Sequence, residues 1–208
     1  MYHLPYFKEQ NPEVVKQFIR QHPFAMLIVC NQNRPVATQV PLLVEEENNR
    51  MLLKGHIMKN TDHHKAMLQN NKVLCVFTGP STYVSARWYT QPQTASTWNY
   101  MSVHARGTLS FTDEAGLRMI LEKTTAHFEQ DPASPASFQH LPEEYVDKLV
   151  QSIAGFSIEI EAIENVFKLS QNRDAASFEN IIQQLRKGDE AAQCIAWEME
   201  IRKAQLFK

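Results

Sequence analysis

Cysteine is scarce in this chain and poorly spaced for structural work: Cys30, Cys75 and Cys194 are the three present in 208 residues. An odd count at wide intervals makes neither a CxxC metal knuckle nor a paired disulfide framework, and it fits a reducing, cytoplasmic setting. Glycine is scarce too, with six residues. Neither GxGxxG nor GxxxxGK[ST] occurs, which excludes the Rossmann and P-loop nucleotide sites that need such loops. No sign of charge dominates, since 21 basic residues face 23 acidic ones and the longest Lys/Arg runs are the pairs Arg186-Lys187 and Arg202-Lys203. A basic stripe for nucleic acid is therefore missing, as is any helix-turn-helix signal. The longest apolar run, Phe24 to Cys30, is far short of the roughly 20 residues of a membrane-spanning helix, and the polar start has no apolar signal core. The chain is expected to be neither secreted nor membrane-embedded. The absence of GxSxG and HExxH removes the nucleophile elbow and the zincin helix, and His63 and His64, being adjacent, cannot grip one ion in the i, i+4 manner. No metal site is expected, and His3, His22, His127 and His140 read as surface or structural residues.

What remains is an ordinary folding composition, 43% hydrophobic and 21% charged, of a size that suits one domain over residues 1–208 with a helical extension from about 174. Asn11-Pro12 starts a helix that His22-Pro23 stops. Strands are expected at Phe24 to Cys30, Val36 to Val44, Met51 to His56, Val73 to Phe77, Tyr83 to Ser85, Thr97 to Phe111 and Phe156 to Ile163, with a polar turn at Glu45 to Arg50 and an exposed loop at Thr90 to Ser96. Helices follow the caps Asn60-Thr61-Asp62 and Thr112-Asp113, another ends near Ser152, and two more, divided by Gly188, fill Asp174 to Phe207 with Cys194, Trp197 and Ile201 as an apolar stripe. This pattern is mainly β with helices, an α+β chain best read as a β-barrel with inserted and C-terminal helices, an α+β sandwich being the alternative.

Two constellations can carry chemistry. Alternation along the strand from Thr97 puts Trp98, Tyr100, Ser102, His104 and Arg106 on one face and Asn99, Met101, Val103 and Ala105 on the other. The first face is either a solvated side or a surface that stacks a planar ligand or a second subunit. The second constellation runs from Gly55-His56 to Lys65, where a strand gives way to a helix. Free backbone N–H groups, the Thr61 hydroxyl and the Lys65 ammonium would make a phosphate cradle there; the alternative is a plain capped helix with solvated histidines. Phe167 to Arg173 is a dense polar group whose simplest role is a strand-to-helix turn capped by Asn172 or Asp174.

Taken together, spaced motifs along nearly the whole chain resemble the PaiB family of bacterial regulators of protease production and sporulation, which are FMN-binding split barrels. These motifs are Met1-Tyr2 with Pro5 and Phe7, His22-Pro23-Phe24-Ala25, Gly55-His56, Phe77 to Ser85, Trp88-Tyr89, Thr97 to Tyr100 with Val103-His104 and Gly107, Ile153 to Phe156, and Lys168 to Asn172. The resemblance implies a six-stranded FMN-binding split β-barrel that forms a homodimer with FMN at the interface. By position it places the flavin ring along Thr38, Gln39, Val40 and Pro41 and the phosphate at Thr61, His63, His64 and Lys65. It adds His56, Trp98, Tyr100, His104, Lys168, Ser170 and Gln171 to the cofactor-binding set. Regulation through DNA or a protein partner is one implied role. A flavin-dependent oxidoreductase of small molecules and a haem-binding split barrel are the others, since a fold hosts many functions.

Overall fold

The computed structural model describes residues 1–2, 4–48, 50–91 and 93–207; the reading of His3 falls outside the described residues. Seven strands are present: β1 (Phe24–Asn31), β2 (Arg34–Pro41), β3 (Leu43–Glu47), β4 (Arg50–Met58), β5 (Lys72–Val84), β6 (Thr97–Phe111) and β7 (Ile153–Lys168). The helices are α1 (Pro12–Gln21), α2 (Asp62–Gln69), α3 (Glu114–Glu129), α4 (Glu143–Ser152), α5 (Ala175–Leu185) and α6 (Glu190–Leu206). The strands make one antiparallel sheet in the order β2-β1-β5-β6-β7-β4-β3. The chain gathers into two units, the first of Met1–Phe18, Thr78–Val103 and Glu164–Lys208, the second of Ile19–Phe77 and His104–Ile163. β5, β6 and β7 each contribute residues to both.

In the second unit the alternation of β1 buries Ala25, Leu27 and Val29, and its neighbour β5 buries Val73, Cys75 and Phe77. With Leu53 and Ile57 of β4 and Phe156 and Ile158 of β7 they form an apolar interior, each large side chain contributing about 1.5–3 kcal/mol on burial. Gly55 belongs to this interior for a steric reason: a Cβ there would stand 2.9 Å from the Pro41 carbonyl oxygen and 3.1 Å from the Phe156 ring. The end of β2 thus meets β4, and a side chain at residue 55 would force them apart. A smaller cluster, Leu117, Val146, Val150 and Ile153, packs α3 against α4. In the first unit Phe178, Ile181, Ile182 and Leu185 of α5 are buried with Ile195 and Met199 of α6, Phe167 and Leu169. Asp174 and Asp189 cap the two helices by accepting from the Ser177 and Ala192 N–H groups.

Five elements differ from the sequence reading: β2, β3, β5, β7 and α6. The expected strand Val36 to Val44 breaks at Leu42, which is buried and donates its N–H to the Pro23 carbonyl at 2.8 Å. The chain there leaves β1 and restarts as β3 at the other end of the sheet order, so the sheet has seven strands, not six. Glu45 to Glu47 belong to β3, and Asn48, with φ of 50°, makes the turn. Val73 to Phe77 and Tyr83-Val84 fuse into β5, because Gly79-Pro80 is accommodated within the strand, while Ser85 caps the short 3-10 helix Ala86–Trp88. β7 runs on to Lys168, absorbing the first two residues of the polar group that reads as a turn. On α6 the apolar stripe expected to pack is the outward one: Cys194, Trp197 and Ile201 are exposed, Trp197 at 61%. Ala192, Ile195, Ala196 and Met199 are buried instead, since alanines let α5 approach closely. Among the described residues no helix is long and apolar enough to cross a membrane.

Candidate functional site

The sequence-nominated residues fall in both units. In the second, Thr38 and Gln39 lie on β2 opposite Leu27 and Met26, with Val40 buried, Thr38 and Pro41 half-buried and Gln39 exposed. His56 sits on β4 opposite Gly155 of β7, and its Nδ1 is buried without a hydrogen-bond partner. Burial therefore pushes its pKa below the ordinary histidine value, keeping the ring neutral. The Thr112 hydroxyl is likewise buried and unpartnered, 2.7 Å from where a Cβ of Gly155 would stand.

At the start of α2 the chain uses its own donors. Thr61 Oγ1 accepts the His64 N–H at 3.3 Å and donates to the Met58 carbonyl at 2.9 Å, while Asp62 Oδ1 accepts the His63 N–H at 2.7 Å. His64 Nδ1 accepts the Asn60 N–H at 3.2 Å. Its pKa is lowered by burial and by the nearby His63, Lys59 and Lys65, in keeping with a neutral acceptor. Lys65 is exposed, with no carboxylate partner among the described residues. His64 also borders a cleft of about 360 Å³ with Lys59, Phe111, Thr112 and Asp113. Lys59 closes one side of it by donating to the Val150 and Gln151 carbonyls at the end of α4.

β6 shows the alternation read from its sequence. Asn99, Met101, Val103 and Ala105 are buried, Trp98 and Arg106 are exposed, and Tyr100 and His104 are half-buried; Ser102, on the polar face, is buried. Trp98 is 54% exposed and meets the exposed Tyr83 edge to face, ring centroids 6.1 Å apart. The Tyr100 hydroxyl has its pKa raised by burial and by Tyr2, which brings the first residues of the chain to the same area. Lys168, from the end of β7, donates to Thr97 Oγ1 at 2.5 Å, and its ammonium lies 5.4 Å from the Tyr2 ring centroid and 5.9 Å from that of Phe7.

Ser170 and Gln171 instead shape the turn after β7. Ser170 takes a left-handed φ of 63° and donates to Asn99 Oδ1 at 3.0 Å. The Gln171 side chain accepts the Leu169 N–H at 2.8 Å and donates to the Phe167 carbonyl at 2.5 Å. The structure thus gathers Trp98, Tyr100 and Lys168 with Tyr2, Phe7 and Tyr83 in one unit, and Thr61, His63, His64 and Lys65 around one helix start in the other. Tyr83, Lys59 and Arg173 lie inside stretches that the sequence reading names, but that reading gives them no place in a site. Arg173 stacks on the Tyr89 ring at 4.0 Å, and its membership of the dense polar group Phe167 to Arg173 is its signal in the sequence. Among the described residues no three His, Cys, Asp or Glu side chains converge as a metal site.

Residues 1–162 match the family model described as "Putative FMN-binding domain". The chain is also 30% identical over 186 residues to protease synthase and sporulation protein PAI 2 of Bacillus subtilis, covering 89% of each chain. It belongs to this PaiB-type FMN-binding family. An uncharacterised protein of Aspergillus fumigatus is 26% identical over 240 aligned positions, covering 90% of this chain and 92% of that one. Among solved structures, the flavocytochrome Anf3 of Azotobacter vinelandii superposes with a TM-score of 0.60 at 16% identity, over 80% of this chain and 72% of that one. The FAD- and haem-binding protein of Mycobacterium smegmatis does so at 0.57 and 15%, over 78% and 73%. At such identities the likeness is one of fold, and the fold is the split barrel with inserted and C-terminal helices expected of the PaiB family.

Proposed function

We propose that this chain is a PaiB-like regulator built as a single FMN-binding split-barrel domain over residues 1–208, acting in the cytoplasm as a homodimer with FMN at the subunit interface. The observation that carries the reading is the exposed aromatic surface of Trp98 and Tyr83 with the half-buried Tyr100. A monomer leaves these rings in water, whereas a flavin ring or a second subunit would cover them. PAI 2, named for protease synthesis and sporulation, supports the regulatory part. With no basic stripe in the sequence, a protein partner suits that regulation better than direct DNA contact.

FMN, when bound, supplies reversible electron transfer at its ring. The chain's part is to hold the ring flat, with Thr38, Gln39, Val40 and Pro41 along one strand, and to neutralise the phosphate. In this reading Lys65 is the phosphate anchor at α2, joined by Thr61, His63 and His64 once the Asp62 carboxylate turns away. A carboxylate there competes with the phosphate for the same N–H groups, so the lysine charge has to outweigh it. Because a charge-assisted hydrogen bond contributes about 1.5–3 kcal/mol, Lys65→Ala should weaken FMN binding about 10- to 150-fold and leave riboflavin unchanged. Equal losses for both ligands in a fluorescence-quenching titration would remove Lys65 from the site. An absorption spectrum of freshly purified protein tests the wider reading: flavin bands support it, a Soret band would replace FMN by haem, and light scattering at the monomer mass would remove the dimer.

A further inference from the structure

We infer that the cleft lined by α2, α3 and α4 in the second unit binds a small uncharged molecule through the Thr112 hydroxyl, at a site separate from the flavin's. Its ligand has a flat apolar body and one hydrogen-bonding group. Three buried side-chain atoms have no hydrogen-bond partner among the described residues: His56 Nδ1, the Tyr89 hydroxyl and the Thr112 hydroxyl. Of these three residues, Thr112 alone borders the cleft of about 360 Å³. An orphaned hydroxyl costs free energy that a valine of the same shape would not. The chain nevertheless makes room for it with two of its six glycines. A Cβ at residue 155 would stand 2.7 Å from the hydroxyl, and one at residue 116 would stand 2.9 Å from Thr112 Cβ and 3.3 Å from the hydroxyl. The Thr112 N–H donates to the Gly155 carbonyl at 2.9 Å, so the backbone is tied down while the hydroxyl bonds nothing.

The surroundings set the chemistry of the occupant. Charged groups at the cleft are matched within the chain: Lys59 Nζ donates to the Val150 and Gln151 carbonyls at 3.1 Å, Asp113 Oδ1 accepts the Gly116 N–H at 2.8 Å, and Glu114 accepts from Arg118 at 2.9 Å. A charged guest would have to compete with those partners, whereas an uncharged one has only a hydroxyl to satisfy. Leu68, Phe111, Leu117 and Ile153 supply apolar wall, and the volume falls within the range of small-molecule pockets. The half-buried Phe111 ring meets His64 edge to face, centroids 5.3 Å apart, and offers a flat surface to a planar guest. Thr112 is half-exposed although its hydroxyl is buried. A turn of about 120° about χ1 exchanges hydroxyl and methyl and brings the hydroxyl to the open side.

The test uses the full chain, with phenol as the probe and toluene, which lacks the hydroxyl, as its control. In a methyl NMR titration phenol should shift the Leu68, Leu117 and Ile153 signals of the wild type and of Thr112→Ser. Thr112→Val should bind phenol about 5- to 150-fold more weakly and toluene as before, and should melt about 2–4 °C higher because an orphaned hydroxyl is gone. FMN affinity should be equal in the three proteins, since His64 is the one residue of the proposed FMN set that borders the cleft. Phenol that binds the wild type and Thr112→Val equally, or that moves none of these methyl signals, would overturn the site. So would a lower melting temperature or unfolding of Thr112→Val, because the hydroxyl would then serve the fold. A loss of FMN affinity in Thr112→Val would overturn it too, by giving the cleft to the flavin.

Discussion

Lys54 and Lys168 are two strand lysines of similar partial burial in different units, and the chain surrounds them in opposite ways. Lys54 Nζ lies 2.6 Å from Glu45 and 2.8 Å from Glu47, and Glu45 is held from its other side by Lys123. Burial works against its proton, but the two carboxylates win and its pKa is raised. Lys168 has burial and a neighbouring guanidinium and no carboxylate to offset them, so its pKa is lowered. The first arrangement is that of a charge kept for structure. The second leaves a charge uncompensated, at some expense of stability.

The same substitution should therefore act with opposite sign at the two places. Lys54→Met leaves Glu45 and Glu47, two residues apart on β3, without the cation they share and should cost about 1–2 kcal/mol in urea unfolding. Lys168→Met removes an uncompensated ammonium and should be neutral or stabilising by up to about 1 kcal/mol. A clear loss at Lys168 would erase the contrast.

Acid should separate the units by a smaller margin. His56 and His64, both in the second unit, have pKa values lowered below the ordinary 6.5. A neutral buried imidazole favours the folded state at pH above about 6.5, and that contribution is lost as pH falls through the depressed folded value, where the ring takes a proton it cannot solvate. Hydrogen exchange corrected for intrinsic rates should show the second unit loosening more than the first between pH 7.5 and about 5.5, and His56→Gln should reduce the difference. Uniform loosening would assign the acid response elsewhere.

The weakest effect expected is a matter of access. Cys75 is fully buried with its thiol pushed up to about 12, whereas Cys30 and Cys194 are exposed. A thiol reagent should titrate two cysteines natively and the third on unfolding. A third native equivalent would show that the β5 strand around Cys75 opens.

Fold class was legible because period-two alternation survives tertiary context: β6 and the first half of β7, whose sequence alternates Phe156 and Ile158 with Ser157 and Glu159, bury their apolar faces. Seven strands were expected and seven are found, but by compensation. One expected strand divides at Leu42, where a contact to Pro23, distant in sequence, turns the chain, and two merge through Gly79-Pro80, whose local signal is that of a turn. The α6 error has another origin. Cys194, Trp197, Ile201 and Ala192, Ile195, Ala196, Met199 are both apolar stripes at helical spacing, and only the presence of α5 decides between them. At the site, the face of Trp98 and Tyr100 could be read from spacing alone. Lys168 with Tyr2 and Phe7 could not be, since about 160 residues separate these side chains and nothing local announces that a lysine will lack an acid.

Every residue with positive φ in the described chain is one that carries a side chain: Gln32, Asn48, Asn60, Gln93, Gln130 and Ser170. Five of its six glycines instead stand where a neighbour comes too near for a Cβ, as at Gly107, where one would lie 2.2 Å from the Glu159 carbonyl oxygen. Left-handed conformation and glycine have thus been assigned to different places, and the exposed turns Gln32 and Gln130 retain a strain that Gly would relieve. Those two positions are an untapped reserve for engineering, where stability can be raised by substitutions that belong to neither candidate site.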